Sequence, residues 1–194
     1  MSTLAATMRS WIVRDVVVDT RARAAVGVFA FSLAITFGAQ VALPLPFTPV
    51  PVTLQTLFVV LAGVVLGPRL GAVAAGAYVV IGAVGAPVFS YGGGGLAWLF
   101  GPTGGYLLAA PLAALVAGAV AGRERGGART LAGLSLGALT LYVGGAAQLY
   151  ALTGESLGGV LALGVIPFLA GDALKVAAAW WIVRGTRATS FGRF

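Results

Sequence analysis

The chain contains no cysteine and no histidine. The first absence excludes disulfides, thiolate nucleophiles, iron–sulfur clusters and Cys-based zinc sites. The second removes the commonest general base and the commonest metal ligand. Carboxylates are scarce too, with 5 Asp and Glu in 194 residues, and no Gly-rich stretch ends in the GK[ST] of a phosphate-binding loop. An ATPase, a metalloprotease and a Ser-His hydrolase are therefore poor fits. Charge as a whole is short, at 9% of residues, against about 25% in an ordinary soluble domain.

What fills the chain instead is apolar. Hydrophobic residues make up 59%, there are 30 glycines, and the mean hydropathy is +1.01. So few charges cannot cover a water-soluble surface of this size, and the fold class is an all-α integral membrane protein. A span needs about 20 apolar residues. Charge-free runs predict six, at about 24–43, 54–66, 70–86, 106–121, 130–150 and 167–183, with the last beginning near Pro167 after a connecting segment. These spans form one membrane domain over 21–187, between tails at 1–20 and 188–194. The first tail has no clear apolar core followed by a cleavage site, so a surface-lying or partly disordered tail is expected there.

Every basic residue but one then falls on one side: Arg9, Arg14, Arg21 and Arg23 before the first span, Arg69 between the second and third, Arg123, Arg125 and Arg129 around the next turn, and Arg184, Arg187 and Arg193 after the sixth. The loops on the other side carry only Glu155. That asymmetry puts both termini in the cytoplasm. It also turns the net charge of +7 into a topology signal rather than a nucleic-acid footprint.

The remaining base is Lys175, the only lysine, nine residues before Arg184. That separation is about 14 Å along a helix, roughly mid-depth in the bilayer. Asp172, three residues earlier, shares its helix face. Ionisable groups at that depth are costly and face a bundle interior or cavity. Three readings stay open: a self-neutralising pair that locks helix packing, a lysine snorkelling to an interface, which its depth disfavours, or a ligand site in which the ammonium meets a carboxylate or carbonyl and Asp172 accepts ligand N–H groups.

The outer loops are unlike solvated connectors. Pro44-Leu-Pro-Phe-Thr-Pro-Val-Pro cannot be helical and is expected to be rigidly extended. The loop from Pro87 to Gly105 interleaves Phe89, Tyr91, Trp98 and Phe100 with glycines, including four in a row. It reads as a lid tucked over a cavity, with an interfacial aromatic belt as the alternative. On the first span, Ala30, Ala34 and Gly38 form a small-residue stripe that suits close helix approach, within the chain or with a partner.

Five segments in order carry a specific resemblance: Pro49-Val-Pro-Val-Thr-Leu-Gln-Thr-Leu-Phe, Gly63-Val-Val-Leu-Gly-Pro-Arg-Leu-Gly, Pro87-Val-Phe with its glycines, Gly101-Pro-Thr-Gly-Gly-Tyr, and Pro167-Phe-Leu-Ala-Gly-Asp-Ala-Leu-Lys. Over about 29–184 the chain resembles the biotin-specific substrate-binding subunits (BioY family, S components) of energy-coupling-factor (ECF) vitamin transporters. It departs at Ala170, where the family often has Pro. The resemblance implies a six-helix bundle in the cytoplasmic (inner) membrane of a prokaryote that binds biotin at the extracellular side. It implies no enzymatic activity and no cofactor, with biotin as the transported ligand. It also implies partnership with a transmembrane coupling protein and two cytoplasmic ATPases, the Ala30, Ala34 and Gly38 stripe facing the coupling protein. Asp172 and Lys175 correspond to polar residues at the ligand, Thr53 and Gln55 to the second-helix motif, and Tyr91 falls in the lid loop. Phe89, Trp98 and Tyr150 complete the expected ligand-binding set. The residue chemistry alone would also suit another small carboxylated vitamin, or a solitary carrier.

Overall fold

The computed structural model describes residues 20–123 and 126–186. The expected tails at 1–20 and 188–194 lie outside these residues, apart from Thr20 at the start of the first helix, and so do Arg125 and Arg187. Helix α1 spans Thr20–Gln40 and leads into a β-hairpin, β1 (Ala42–Leu45) and β2 (Thr48–Thr53). Helices α2 (Gln55–Leu66) and α3 (Pro68–Ala83) follow, then a loop containing the short α4 (Leu96–Leu99). Next come α5 (Gly104–Ala121), α6 (Ala128–Thr153), α7 (Leu157–Gly164) and α8 (Leu169–Gly185). Four segments are long and apolar enough to cross a bilayer, namely Arg21–Gln40, Gly104–Ala121, Ala128–Thr153 and Leu157–Gly185, and α2 and α3 are shorter apolar helices. The chain is a multi-pass membrane protein with six apolar helical segments.

One local expectation is met and refined, and one changes. The proline-rich segment is a two-stranded antiparallel hairpin, pairing Ala42 with Thr53, Leu43 with Val52 and Leu45 with Thr48 across a register shift. Prolines disguise it, yet Pro49 and Pro51 stand at alternate positions, so only one edge of β2 lacks donors there. The hairpin folds back on the bundle: Val50 is buried with Tyr142 and Phe168, and the Thr48 hydroxyl donates to the Leu163 carbonyl at 2.7 Å. The stretch before Pro167, expected as a connector, is helical as α7 and is capped by Ser156, whose hydroxyl accepts the Gly159 N–H. The break expected at Pro167 is a 3-10 turn over Ile166–Phe168 between α7 and α8.

Glycine brings the helices together at backbone distance. A Cβ at Gly63 of α2 would collide with the Ala114 carbonyl of α5, and one at Gly118 of α5 with the Gly63 carbonyl. The α5–α6 pair, the most extensive helix contact in the bundle, is joined the same way: Gly105 lies on the Gly144 backbone, Gly133 on that of Ala117 and Gly137 on that of Ala113. Gly63→Ala is therefore expected to overpack a site where only backbone can yield, at about 1–3 kcal/mol. A thermal unfolding midpoint equal to that of the parent would contradict this packing.

The turn ends of the helices sort the charges. Gly126 rests on Arg184, Gly118 on Pro68 and Gly27 on Leu66, while the Trp180 indole N–H donates to the Gly127 carbonyl at 3.2 Å. The start of α1, the α2–α3 turn, the α5–α6 turn and the end of α8 thus share one end of the bundle, and with them Arg21, Arg23, Arg69, Arg123, Arg129 and Arg184. The Arg184 guanidinium lies over the Trp180 ring, 4.9 Å from its centroid. The hairpin, the α3–α5 loop and Glu155 are at the other end.

Candidate ligand-binding site

A partly open cavity of about 70 Å³ lies at that second end. Four parts of the chain wall it. The hairpin and the start of α2 bring Val50, Thr53, Gln55 and Thr56, and the α3–α5 loop brings Phe89, Ser90, Trp98 and Thr103. Helices α5 and α6 add Tyr106, Leu107, Leu141 and Tyr142, and α8 with its preceding turn adds Phe168, Asp172 and Lys175.

The break at Pro167 starts α8 at Leu169, which puts Asp172 in the helix's first turn. A carboxylate is favoured there by the unpaired N–H groups and the helix dipole. Asp172 is 6% exposed, and both its oxygens are engaged. The Lys175 ammonium donates to Oδ1 at 2.6 Å and the Tyr142 hydroxyl donates to Oδ2 at 2.7 Å. The i,i+3 spacing brings Lys175 back over the same face, as the sequence indicated. Each carboxylate oxygen has a second lone pair, and the ammonium has further protons. The pair can therefore hold itself and still offer an acceptor and a donor to a ligand. Tyr142 and Asp172 also line a more open, apolar groove between α6 and α8, so a single layer of side chains stands between the cavity and the surroundings of the bundle.

Aromatic rings set the cavity's shape. Phe89 is wholly buried, edge-on to Tyr78 with ring centroids 5.5 Å apart, and it packs on Gly82. Trp98 covers Gly93, where a Cβ would come within 2.5 Å of the ring. The Tyr106 hydroxyl donates to the Gly164 carbonyl, tying α5 to the end of α7. The Thr53 hydroxyl accepts the Gln55 N–H at 3.3 Å, so the two are ordered together at the entry to α2.

Of the residues singled out from the sequence, Asp172, Lys175, Thr53, Gln55, Phe89 and Trp98 meet at this cavity. Tyr91 and Tyr150 are not among its lining residues. Tyr91 sits in a turn with φ 59° and is 57% exposed, and Tyr150 is exposed beside the buried Leu149. The first-span stripe divides: Ala30 is exposed and Ala34 half-buried, but Gly38 is buried against Phe58 and the start of α2. Tyr142 was missed, although a signal for it exists. It lies on the buried stripe of α6 with Gly137, Ala138, Leu141 and Gly145, a 3–4 spacing that points a hydroxyl into the bundle.

The match to known proteins agrees with this geometry. The model of the BioY family matches residues 7–191. A probable biotin transporter BioY of Pyrococcus horikoshii is 42% identical over 155 residues, 79% of this chain and 90% of that protein. The biotin transporter BioY of Thermotoga maritima is 38% identical over 149 residues, 77% of this chain and 86% of that one. Among solved structures, the crystal structure of the S-component for biotin from an ECF-type ABC transporter superposes with a TM-score of 0.77, at 26% identity over 86% of this chain and 92% of the other. A bundle of six apolar helical segments, a charge pair on the last of them and relatives aligned along most of their length lead to one assignment: the chain belongs to the BioY family.

Proposed function

We propose that this protein is the biotin-binding membrane subunit of an uptake system in a prokaryotic cytoplasmic membrane. It is a transport component and not an enzyme, as its family is. The observation that carries the reading is the buried Asp172–Lys175 pair, held by Tyr142 at the wall of a cavity that the hairpin and the α3–α5 loop also line. Biotin presents a carboxylate, a ureido ring with N–H donors and a carbonyl acceptor, and an apolar bicyclic body. Lys175 answers an anionic or carbonyl oxygen of the ligand, and Asp172 the ring N–H groups. Thr53 and Gln55 add hydroxyl and amide partners, and Phe89 and Trp98 enclose the apolar body. Ligand release to the cytoplasm follows reorientation of the whole subunit against an ECF coupling protein driven by two ATPases. The exposed Ala30 and half-buried Ala34 of α1 are the small-residue surface offered to it. Both termini and the arginine-bearing end of the bundle face the cytoplasm in this orientation.

Equilibrium binding of labelled biotin to the purified chain in nanodiscs tests the reading. Tight binding is expected, displaced by biotin and not by a panel of other small carboxylated or heterocyclic vitamins. Preferential displacement by another vitamin would reassign the ligand within the same architecture. No biotin binding would overturn the proposal.

A further inference from the structure

The loop that supplies Phe89, Ser90 and Trp98 to the cavity is held at both ends by glutamine side chains from two different helices. Gln40, the last residue of α1, donates from Nε2 to the carbonyls of Phe89 at 2.8 Å and Val88 at 3.2 Å, and its Oε1 accepts the Gly92 N–H at 3.1 Å. Gln148 of α6 donates from Nε2 to the carbonyls of Leu99 at 2.8 Å and Gly101 at 2.7 Å. Two carbonyls converge on each nitrogen, so of the amide's two ends it is the N–H₂ donor that belongs there. Between the clamped ends lie Gly93 to Gly95, where the loop's backbone bonds are few: the Gly93 N–H donates to the Ser90 carbonyl at 3.1 Å, the Gly93 carbonyl accepts the Phe89 N–H at 2.9 Å, and the Gly95 N–H donates to the Gly82 carbonyl at 2.7 Å.

We infer that Gln40 and Gln148 are positioning residues of the ligand site, two side-chain amides that fix the loop so that Phe89, Ser90 and Trp98 face the cavity. The inference rests on the reading of that cavity as the biotin site. Neither glutamine lines the cavity itself; each acts through the backbone next to a residue that does. Gln40 bonds the carbonyl of Phe89 directly, and Gln148 bonds that of Leu99, next to Trp98. The Phe89 carbonyl also accepts the Gly92 N–H at 3.1 Å and the Gly101 carbonyl the Gly104 N–H at 3.0 Å, so the glutamines add to the turns' own bonds and tie them to α1 and α6. A loop ordered before the ligand arrives spares the complex that ordering cost. The placement also joins the loop to the rest of the site. Gln148 is on the helix that carries Tyr142, the donor to Asp172. Gln40 ends the helix that carries Ala30 and Ala34, so a shift of α1 would be felt at Phe89.

Gln40→Met and Gln148→Met keep much of the side-chain volume and remove every hydrogen bond, with Gln40→Ala and Gln148→Ala carried in parallel as variants that add no bulk. In full-length protein in nanodiscs, each is expected to accelerate release of radiolabelled biotin by about tenfold, the factor for losing one to two net hydrogen bonds. A second readout needs no ligand. The chain has no cysteine, so Ser90→Cys gives a single labelling site on the loop and Thr56→Cys a single site on α2. Maleimide labelling at position 90 is expected to quicken by about tenfold in the Gln40 variants, an opening worth a lost pair of hydrogen bonds, and labelling at position 56 to stay at the parental rate. Unchanged release and unchanged labelling in the methionine variants would overturn the inference. Equal acceleration at both positions would also overturn it, by showing a general loosening of the bundle. Failure of the parent chain to bind biotin would strike the functional reading instead, and labelling at positions 90 and 56 would still decide the role of the glutamines.

Discussion

Asp172→Ala is expected to abolish biotin binding and to destabilise the folded chain at the same time. The two effects have one cause. Asp172 is the partner of an ammonium whose side chain is 10% exposed, and removing one member of a buried pair strands the other at a cost of about 3–5 kcal/mol. Tyr142 loses its acceptor as well. The test is a set of four proteins followed by thermal unfolding and biotin binding: parent, Asp172→Ala, Lys175→Ala and the double variant. Because removing both charges leaves no charge stranded, the double variant should unfold at a higher temperature than Asp172→Ala while still failing to bind. Were the double variant no more stable than Asp172→Ala, the stranded ammonium would not be the source of the loss. Tyr142→Phe, which keeps the ring and removes one neutral donor to a carboxylate, should fall between the parent and Asp172→Ala in both measurements.

Lys175→Ala should weaken biotin binding by at least about tenfold, and toward a hundredfold, given about 1.5–3 kcal/mol for a hydrogen bond to a charged group. Its effect on stability should be smaller than that of Asp172→Ala. The carboxylate left behind keeps the Tyr142 hydroxyl as a donor and its place in the first turn of α8. Lys175→Arg is the informative companion. It preserves the charge but replaces a compact ammonium by a longer planar fork, so it should retain stability and recover little affinity. Affinity at the parental level in Lys175→Ala would remove Lys175 from the ligand site and leave the pair as a packing device.

Much of this site could be read before the fold was known, and the reason is the solvent. In a chain bathed in lipid a charge inside an apolar run stands out, and helix periodicity alone pairs Asp172 with Lys175. Phe89 and Trp98 stand out because aromatics interleaved with glycines make a poor solvated loop, whereas Thr53 and Gln55 are legible only through the resemblance of the second-helix motif. Tyr142 was harder. Its partner lies 30 positions away on another helix, and tyrosines are common in spans for reasons unrelated to ligands. Tyr91 and Tyr150 show the converse: the residue type suited a ligand site, but one occupies a left-handed turn that directs it outward and the other lies one position off the buried stripe of α6. The Ala30-Ala34-Gly38 stripe was ambiguous for a similar reason. Small residues permit close approach from inside or outside, and only the path of α1 across α2 decides that Gly38 faces in while Ala30 faces out. The hairpin went unread because prolines mask a strand when their donors are missing from one edge alone.

The glycine seam between α5 and α6 has a mechanical meaning. Where side chains interdigitate, a helix pair can slip by exchanging rotamers, one packed arrangement for another. Backbone lying on backbone at Gly105, Gly133 and Gly137 has no rotamers to exchange. Sliding that pair by even part of a turn would drive a neighbouring Cβ or carbonyl into main chain. The pair is thus keyed, with one internal setting. Compliance is left to the segments outside the seam, the hairpin and the glycine-rich loop among them, while α5 and α6 move together.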